Sequence, residues 1–190
     1  STENADQASR PEVYRFIVKE LQEVTPLLPT GHSNLLGKNY GRVTRSVANF
    51  LLAKLMLNGE VYSDADWTDN QQPNGKQTYF TINGQQMNIW QACKYYCDEL
   101  TADGFTLAAD YLSNFSVNNE NSPENIFTIP LDKHLYKSQF QYLFRSRHYS
   151  HGGAFGTGSE NGACATISTV KTFGYGTKNV DKRYAYNLYS

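Results

Sequence analysis

The stretch SRPEVYRFIVKELQEVTPLLPTG, Ser9 to Gly31, decides the fold class. Ser9 is a good helix N-cap, and Pro11 and Glu12 suit a first helical turn. Val13, Phe16, Ile17, Leu21, Val24 and Leu28 then recur at helical spacing, which predicts a helix over about residues 11–27 that stops before Pro29 and Gly31. A polar loop leads to GRVTRSVANFLLAKLMLNG, residues 41–59. Thr44 is its N-cap, Val47, Leu51 and Leu55 form its stripe with Ala48 and Leu52 beside it, and Gly59 is the expected stop. Two such helices read as an αα-hairpin.

Residues 63–88 are rich in Asp, Asn, Gln and Gly, with Trp67, Tyr79 and Phe80 among them. They read as an extended loop, pinched by a short hairpin around Asn83-Gly84. A third helix is expected over about residues 88–101, with Ile89, Cys93, Tyr96, Cys97 and Leu100 on one face and Gly104 at its end. Trp90, beside that stripe, reads as buried. Trp67 is either a loop anchor or an exposed ring. Residues 124–130, Glu-Asn-Ile-Phe-Thr-Ile-Pro, read as a short strand ended by proline. Beyond them the chain is rich in Gly and Tyr, and irregular structure with short helices is expected.

The chain has 190 residues, 39% of them hydrophobic, which is enough to build a core. A net charge of −1 argues against a nucleic-acid binder, which needs a concentrated basic surface. No stretch approaches the roughly 20 apolar residues that cross a bilayer. The first residues have no basic and apolar leader, so in an exported protein the targeting segment is expected to be removed or to lie outside this chain. Cys93, Cys97 and Cys164 make an odd set with no His at ligand spacing, and read as buried free thiols. Tyr is the compositional outlier, with 14 residues against 10 Phe and 2 Trp. Its flat face and polar tip suit wet recognition surfaces as well as cores.

The order of these pieces is similar to the SusD/RagB family. Glu12-Val13-Tyr14 through Leu28-Pro29, then Gly41-Arg42-Val43-Thr44 with Ala53-Lys54-Leu55-Met56-Leu57-Asn58, resembles the family's helix pair. Gly104-Phe105-Thr106-Leu107, Tyr111, Phe115 and Ser122-Pro123-Glu124-Asn125-Ile126-Phe127 follow in the same order. Ile129-Pro130-Leu131-Asp132-Lys133, the run 145–149 and Glu160-Asn161-Gly162 resemble the starch-binding branch. The resemblance implies a mainly α fold of tetratricopeptide-like helix pairs with a long loop-rich binding region. It treats residues 1–190 as one domain fragment, with 9–130 as helical scaffold and 131–190 as binding region. The implied role is capture of starch or malto-oligosaccharides by a surface-exposed lipoprotein of the bacterial outer membrane. Delivery would be to a SusC-like TonB-dependent transporter, with the lipid anchor outside this chain. Starch-binding members hold a calcium ion near the position of Asp132, which makes Asp132 the expected metal ligand.

Glycan binding needs flat rings for the C–H faces of sugars and amide or guanidinium groups for hydroxyls. The tail offers Phe155 and Tyr175 as rings, each flanked by glycines that let a loop present a side chain. Arg147, Asn161, Lys178 and Asn179 are the polar candidates. Against this, Phe is buried more often than exposed, by about two to one. His148 and His151, with His134 upstream, have a zinc-like spacing but lack an evident third ligand; solvated or packing roles are the alternative. A glycosidase needs two carboxylates roughly 5–10 Å apart. After Asp132 only Glu160 and Asp181 are acidic, and they read as a turn residue and a member of a solvated charge cluster. A non-catalytic protein is therefore expected. A binder of another glycan or of peptides, and a tetratricopeptide-like adaptor that grips protein in a helical groove, are the other readings.

Overall fold

The computed structural model describes residues 7–131, 148, 150, 153 and 164–187. It is mainly helical and divides into two compact units, residues 1–129 and 130–190. In the first unit α1 (Arg10–Val24) runs into a single 3-10 turn, Thr25–Leu27. Next come α2 (Arg45–Leu57), α3 (Gly59–Ser63), strands β1 (Tyr79–Ile82) and β2 (Gln85–Asn88), and α4 (Ile89–Ala102). The second unit contributes α5 (Ile167–Thr172) and α6 (Tyr184–Asn187).

Local chemistry sets the element ends. Ser9 and Glu12 form a reciprocal capping box: the Ser9 N–H donates to Glu12 Oε2 at 2.8 Å, and the Glu12 N–H donates to Ser9 Oγ. Asn88 and Gln91 repeat the device at α4. Pro26 has no N–H to continue the α1 ladder, so the helix ends at Val24 and tightens to 3-10 geometry, with Leu28 N–H donating to Thr25 O. At the other end of α4, the Phe105 N–H reaches Leu100 O and the Gly104 N–H reaches Thr101 O, the paired bonds of a Schellman motif. Phe105 and Leu100 are both buried beside it.

The expected hairpin is present. Tyr79 pairs with Asn88 and Ile82 with Gln85, which leaves Asn83 and Gly84 as a two-residue turn with φ of 50° and 76°. Both values are positive, as the turn type matched to strand twist requires. The polar stretch before it is organised by side chains. Asp64 Oδ1, Asp66 Oδ1, Asp69 Oδ1 and Asn74 Oδ1 each accept the N–H two residues on, a series of Asx turns.

The core of this unit is Tyr14, Val18, Leu52, Ala53, Met56, Phe80, Ile82, Ile89, Ala92 and Tyr96. α2 is its centre, packed against α4 most extensively and against α1 and α3 as well. The inward face of α1 differs from the expected stripe. Tyr14 and Val18 are buried, while Val13, Phe16 and Ile17 are exposed. The face is turned by one residue, about 100°. The cause is tertiary: the Tyr14 ring packs 5.5 Å from Tyr62 on α3 and 5.4 Å, edge-on, from Phe80 on β1. α2 ends at Leu57, before Gly59, as expected. Gly59 is buried and is the first residue of α3, and it admits no side chain: a Cβ there would lie 2.9 Å from the Tyr14 hydroxyl and 3.0 Å from Ile89.

Burial pushes the Tyr14 phenol up to about 12, with Arg15 opposing and Tyr62 adding to the shift. Its hydroxyl donates to Leu55 O at 3.2 Å. A phenol whose folded value is raised stabilises the fold fully below the ordinary Tyr value of about 10, and the contribution is lost as pH rises toward 12. Stability is expected to fall between pH 10 and 12 in urea titrations, and the Tyr14→Phe variant should lose part of that fall, the rest coming from Tyr95 and Tyr96, which burial also raises. An unchanged pH dependence in the variant contradicts the assignment.

Three further expectations are corrected. Residues 124–130 form no strand, and Ser122 holds the start of the segment in an irregular turn. Its hydroxyl accepts the Glu124 and Asn125 N–H groups and donates to Asn114 Oδ1, and the Asn114 amide donates to Glu124 Oε2 at 2.7 Å. Asn34, fully buried, donates to Ser122 O at 2.6 Å and closes the loop after α1 onto this segment. The thiols are not all buried: Cys93 is half-buried and Cys97 and Cys164 are exposed. Trp90 is 37% exposed, its indole lying over Gly75, where a Cβ would come within 2.7 Å of the ring.

Candidate functional site

The second unit builds an aromatic turn from residues 166–186. Thr166 caps α5 by accepting the Thr169 N–H. The helix ends in another Schellman pair, with Gly174 N–H donating to Lys171 O at 2.8 Å and Tyr175 N–H to Val170 O at 3.4 Å. Gly174 has φ of 79°, in the left-handed region that the motif demands. This places Tyr175 at a fixed position just past the helix.

The turn is closed by its own hydrogen bonds. Thr177 Oγ1 donates to Gly174 O at 2.7 Å, Asn179 N–H donates to Thr177 Oγ1, and Asp181 N–H returns to Phe173 O at 2.9 Å. Asp181 then accepts the Arg183 guanidinium and backbone N–H. Those hydrogen bonds, the side-chain one first, hold its carboxyl down at about 2. The expected charge cluster is thus a bonded pair that fixes the start of α6.

Tyr184 on α6 stacks on Tyr175, with centroids 5.4 Å apart and planes 26° from parallel, and Phe173 adds an edge contact at 6.4 Å. Tyr175 is 56% exposed. Lys178 and Asn179 are exposed on the same turn. Three predicted site residues therefore share one turn: a supported ring, an ammonium and an amide. Tyr184, the supporting ring, was not among the sequence candidates. Its signal is the Tyr-Ala-Tyr run that follows the glycine turn. Phe155, Arg147, Asn161 and Asp132 lie outside the described residues, as do Glu160, His134 and His151. His148 is exposed, and its Nδ1 accepts the Ser150 N–H at 3.2 Å.

In the first unit Trp67 is 76% exposed at the crest of the Asx-turn series, so of its two readings the exposed ring holds. Among the described residues no group of three or more His, Cys, Asp or Glu is placed to hold a metal ion. Among them, too, no helix is long and apolar enough to cross a membrane. No protein-family model, curated protein or solved structure matches the chain.

Proposed function

We propose that the protein is a non-catalytic glycan-binding module of the SusD type. In this reading it captures starch or malto-oligosaccharides at a bacterial outer membrane for a SusC-like TonB-dependent transporter. The observation that carries the reading is the Tyr175 ring, exposed, backed by Tyr184 and held on a hydrogen-bonded glycine turn. Ring stacking on sugar C–H faces needs a flat apolar surface that is already fixed in place, since ordering a free side chain on binding opposes affinity. Lys178 and Asn179 supply donors to hydroxyls at the rim of that surface. Phe155, Arg147 and Asn161 complete the proposed site on the strength of the sequence, as does a calcium ion held in part by Asp132.

The scaffold fits the same reading. α2 packs on α4 and less extensively on α1, a mainly helical scaffold with which a degenerate tetratricopeptide-like arrangement is compatible. The surface-lipoprotein location comes with the family resemblance.

Calorimetric titration of the full chain with maltoheptaose, cellohexaose and an extended apolar peptide tests the ligand class. Maltoheptaose is expected to bind best. Affinity for cellohexaose alone would move the assignment to another glycan, and affinity for the peptide alone would point to a protein adaptor.

A further inference from the structure

Two thiols meet on one face of α4. Cys93 and Cys97 stand four residues apart on that helix, which places them about 40° apart around its axis and about 6 Å apart along it. The two side chains share a hydrogen bond. Cys93 packs against the apolar core, which anchors one sulfur, while Cys97 is exposed and opens the pair to solvent.

The helix that carries them is held along its length. The capping box of Asn88 and Gln91 closes its start, the Gly104 and Phe105 N–H groups close its end, and its inner face packs on α2. It therefore keeps the two Cβ atoms at the helical separation of about 5–6 Å. A disulfide needs a sulfur–sulfur bond of about 2.05 Å and Cβ atoms roughly 3.5–4.5 Å apart. Forming one here would pull a turn of α4 out of its hydrogen-bond ladder. Burial first, then the Cys97 charge and the shared hydrogen bond, also push the Cys93 thiol above its ordinary range. Only a thiolate attacks a disulfide, so Cys93 is a poor partner in exchange. Helix geometry and protonation thus keep two neighbouring sulfurs from joining each other.

A bridging metal ion removes that obstacle. Metal–thiolate bonds of about 2.3 Å set two sulfurs up to about 4.6 Å apart across a linear centre, which the intact helix allows. The number of ligands then selects the ion. Zn(II) takes four, and among the described residues no third His, Cys, Asp or Glu joins the pair. The Lys94 ammonium and the Asp98 carboxylate, next to them on the helix, are taken up by each other. Cu(I) is soft, prefers thiolates and is satisfied by two of them. We propose that Cys93 and Cys97 form a two-coordinate site for Cu(I), independent of the glycan reading. On binding, each thiol loses its proton to solvent and each sulfur donates an electron pair to the metal. No oxidation state changes, and the centre carries one negative charge.

Anaerobic titration of the reduced full chain with Cu(I), in competition with the chelator bicinchoninate, tests this. A single Cu(I) is expected to bind, with only sulfur in its first shell by X-ray absorption. Cys97→Ser and Cys93→Ser should each weaken binding at least about a hundredfold, while Cys164→Ser and Tyr175→Ala leave it unchanged. If Cys93→Ser, at the edge of the core, fails to fold, the exposed Cys97→Ser carries the comparison. Native affinity in folded Cys97→Ser, or lost affinity in Cys164→Ser, overturns the proposal. Zn(II) held more tightly than Cu(I) overturns the choice of ion. A Cys93–Cys97 disulfide formed with glutathione disulfide at unchanged far-ultraviolet helicity overturns the geometric argument. Cu(I) binding in a chain that binds no maltoheptaose would leave this site standing and remove only the other.

Discussion

Replacing Met56 by alanine is expected to lower the unfolding free energy of the helical unit by about 3 kcal/mol, within the roughly 2–5 kcal/mol span for buried Met-to-Ala changes. Met56 is fully buried in a core cluster drawn from α1, α2, β1 and α4. The Tyr14 hydroxyl lies 3.8 Å from its Sδ, Leu52 precedes it by one turn on α2, and Ile89 on α4 is equally inaccessible. Truncation removes the transfer energy of the side chain and leaves a void in a cluster built from four elements. Its walls cannot collapse together, which is the condition for a large cost. Urea unfolding followed by tryptophan fluorescence reads this unit specifically, since Trp67 and Trp90 both lie within residues 1–129. The midpoint should fall by about 1.5 M for a slope near 2 kcal/mol/M. A loss below about 1 kcal/mol would mean that α2 is not the centre of the core.

Gly174→Ala is expected to disrupt the aromatic turn more than any change to its polar residues. The backbone there has φ of 79°, where an alanine is strained. A Cβ would also lie 2.3 Å from Asn179 O, a backbone atom that no rotamer change can move aside. Strain and clash together exceed about 2 kcal/mol. The turn must then open, and with it the Schellman bond that fixes Tyr175 and the Asp181 return to Phe173. Glycan affinity should drop by well over tenfold, although no group that touches the ligand has been deleted. Gly176→Ala is the control. Its φ is also positive, at 81°, but nothing crowds the added carbon, so the drop should be smaller. Equal losses in the two variants would mean that strain alone, and not the packed turn, governs binding.

Local signals were the legible part of this fold. Ser9, Asn83-Gly84, Asn88 and Gly104 each act within a few residues, and each marks an element boundary in the structure. Signals that depend on distant partners were not legible. The inner face of α1 is set by Tyr62 and Phe80, which lie some fifty residues or more along the chain. The apolar alternation at residues 124–130 suggests a strand, but Ser122 takes the Glu124 and Asn125 N–H groups at its start, a local alternative to pairing. Exposure of Tyr175 follows from its glycine flanks and could be expected. Its support by Tyr184 depends on the Asp181 turn bringing α6 back, which no spacing rule reveals.

The central claim is that an exposed, preorganised ring on the 174–184 turn binds glycan. Calorimetry with maltoheptaose on the native chain, Tyr175→Ala and Tyr175→Trp tests it most directly. The account predicts that alanine weakens binding at least about tenfold and that tryptophan, which keeps a flat face, restores most of it. Native affinity retained in the alanine variant would contradict it.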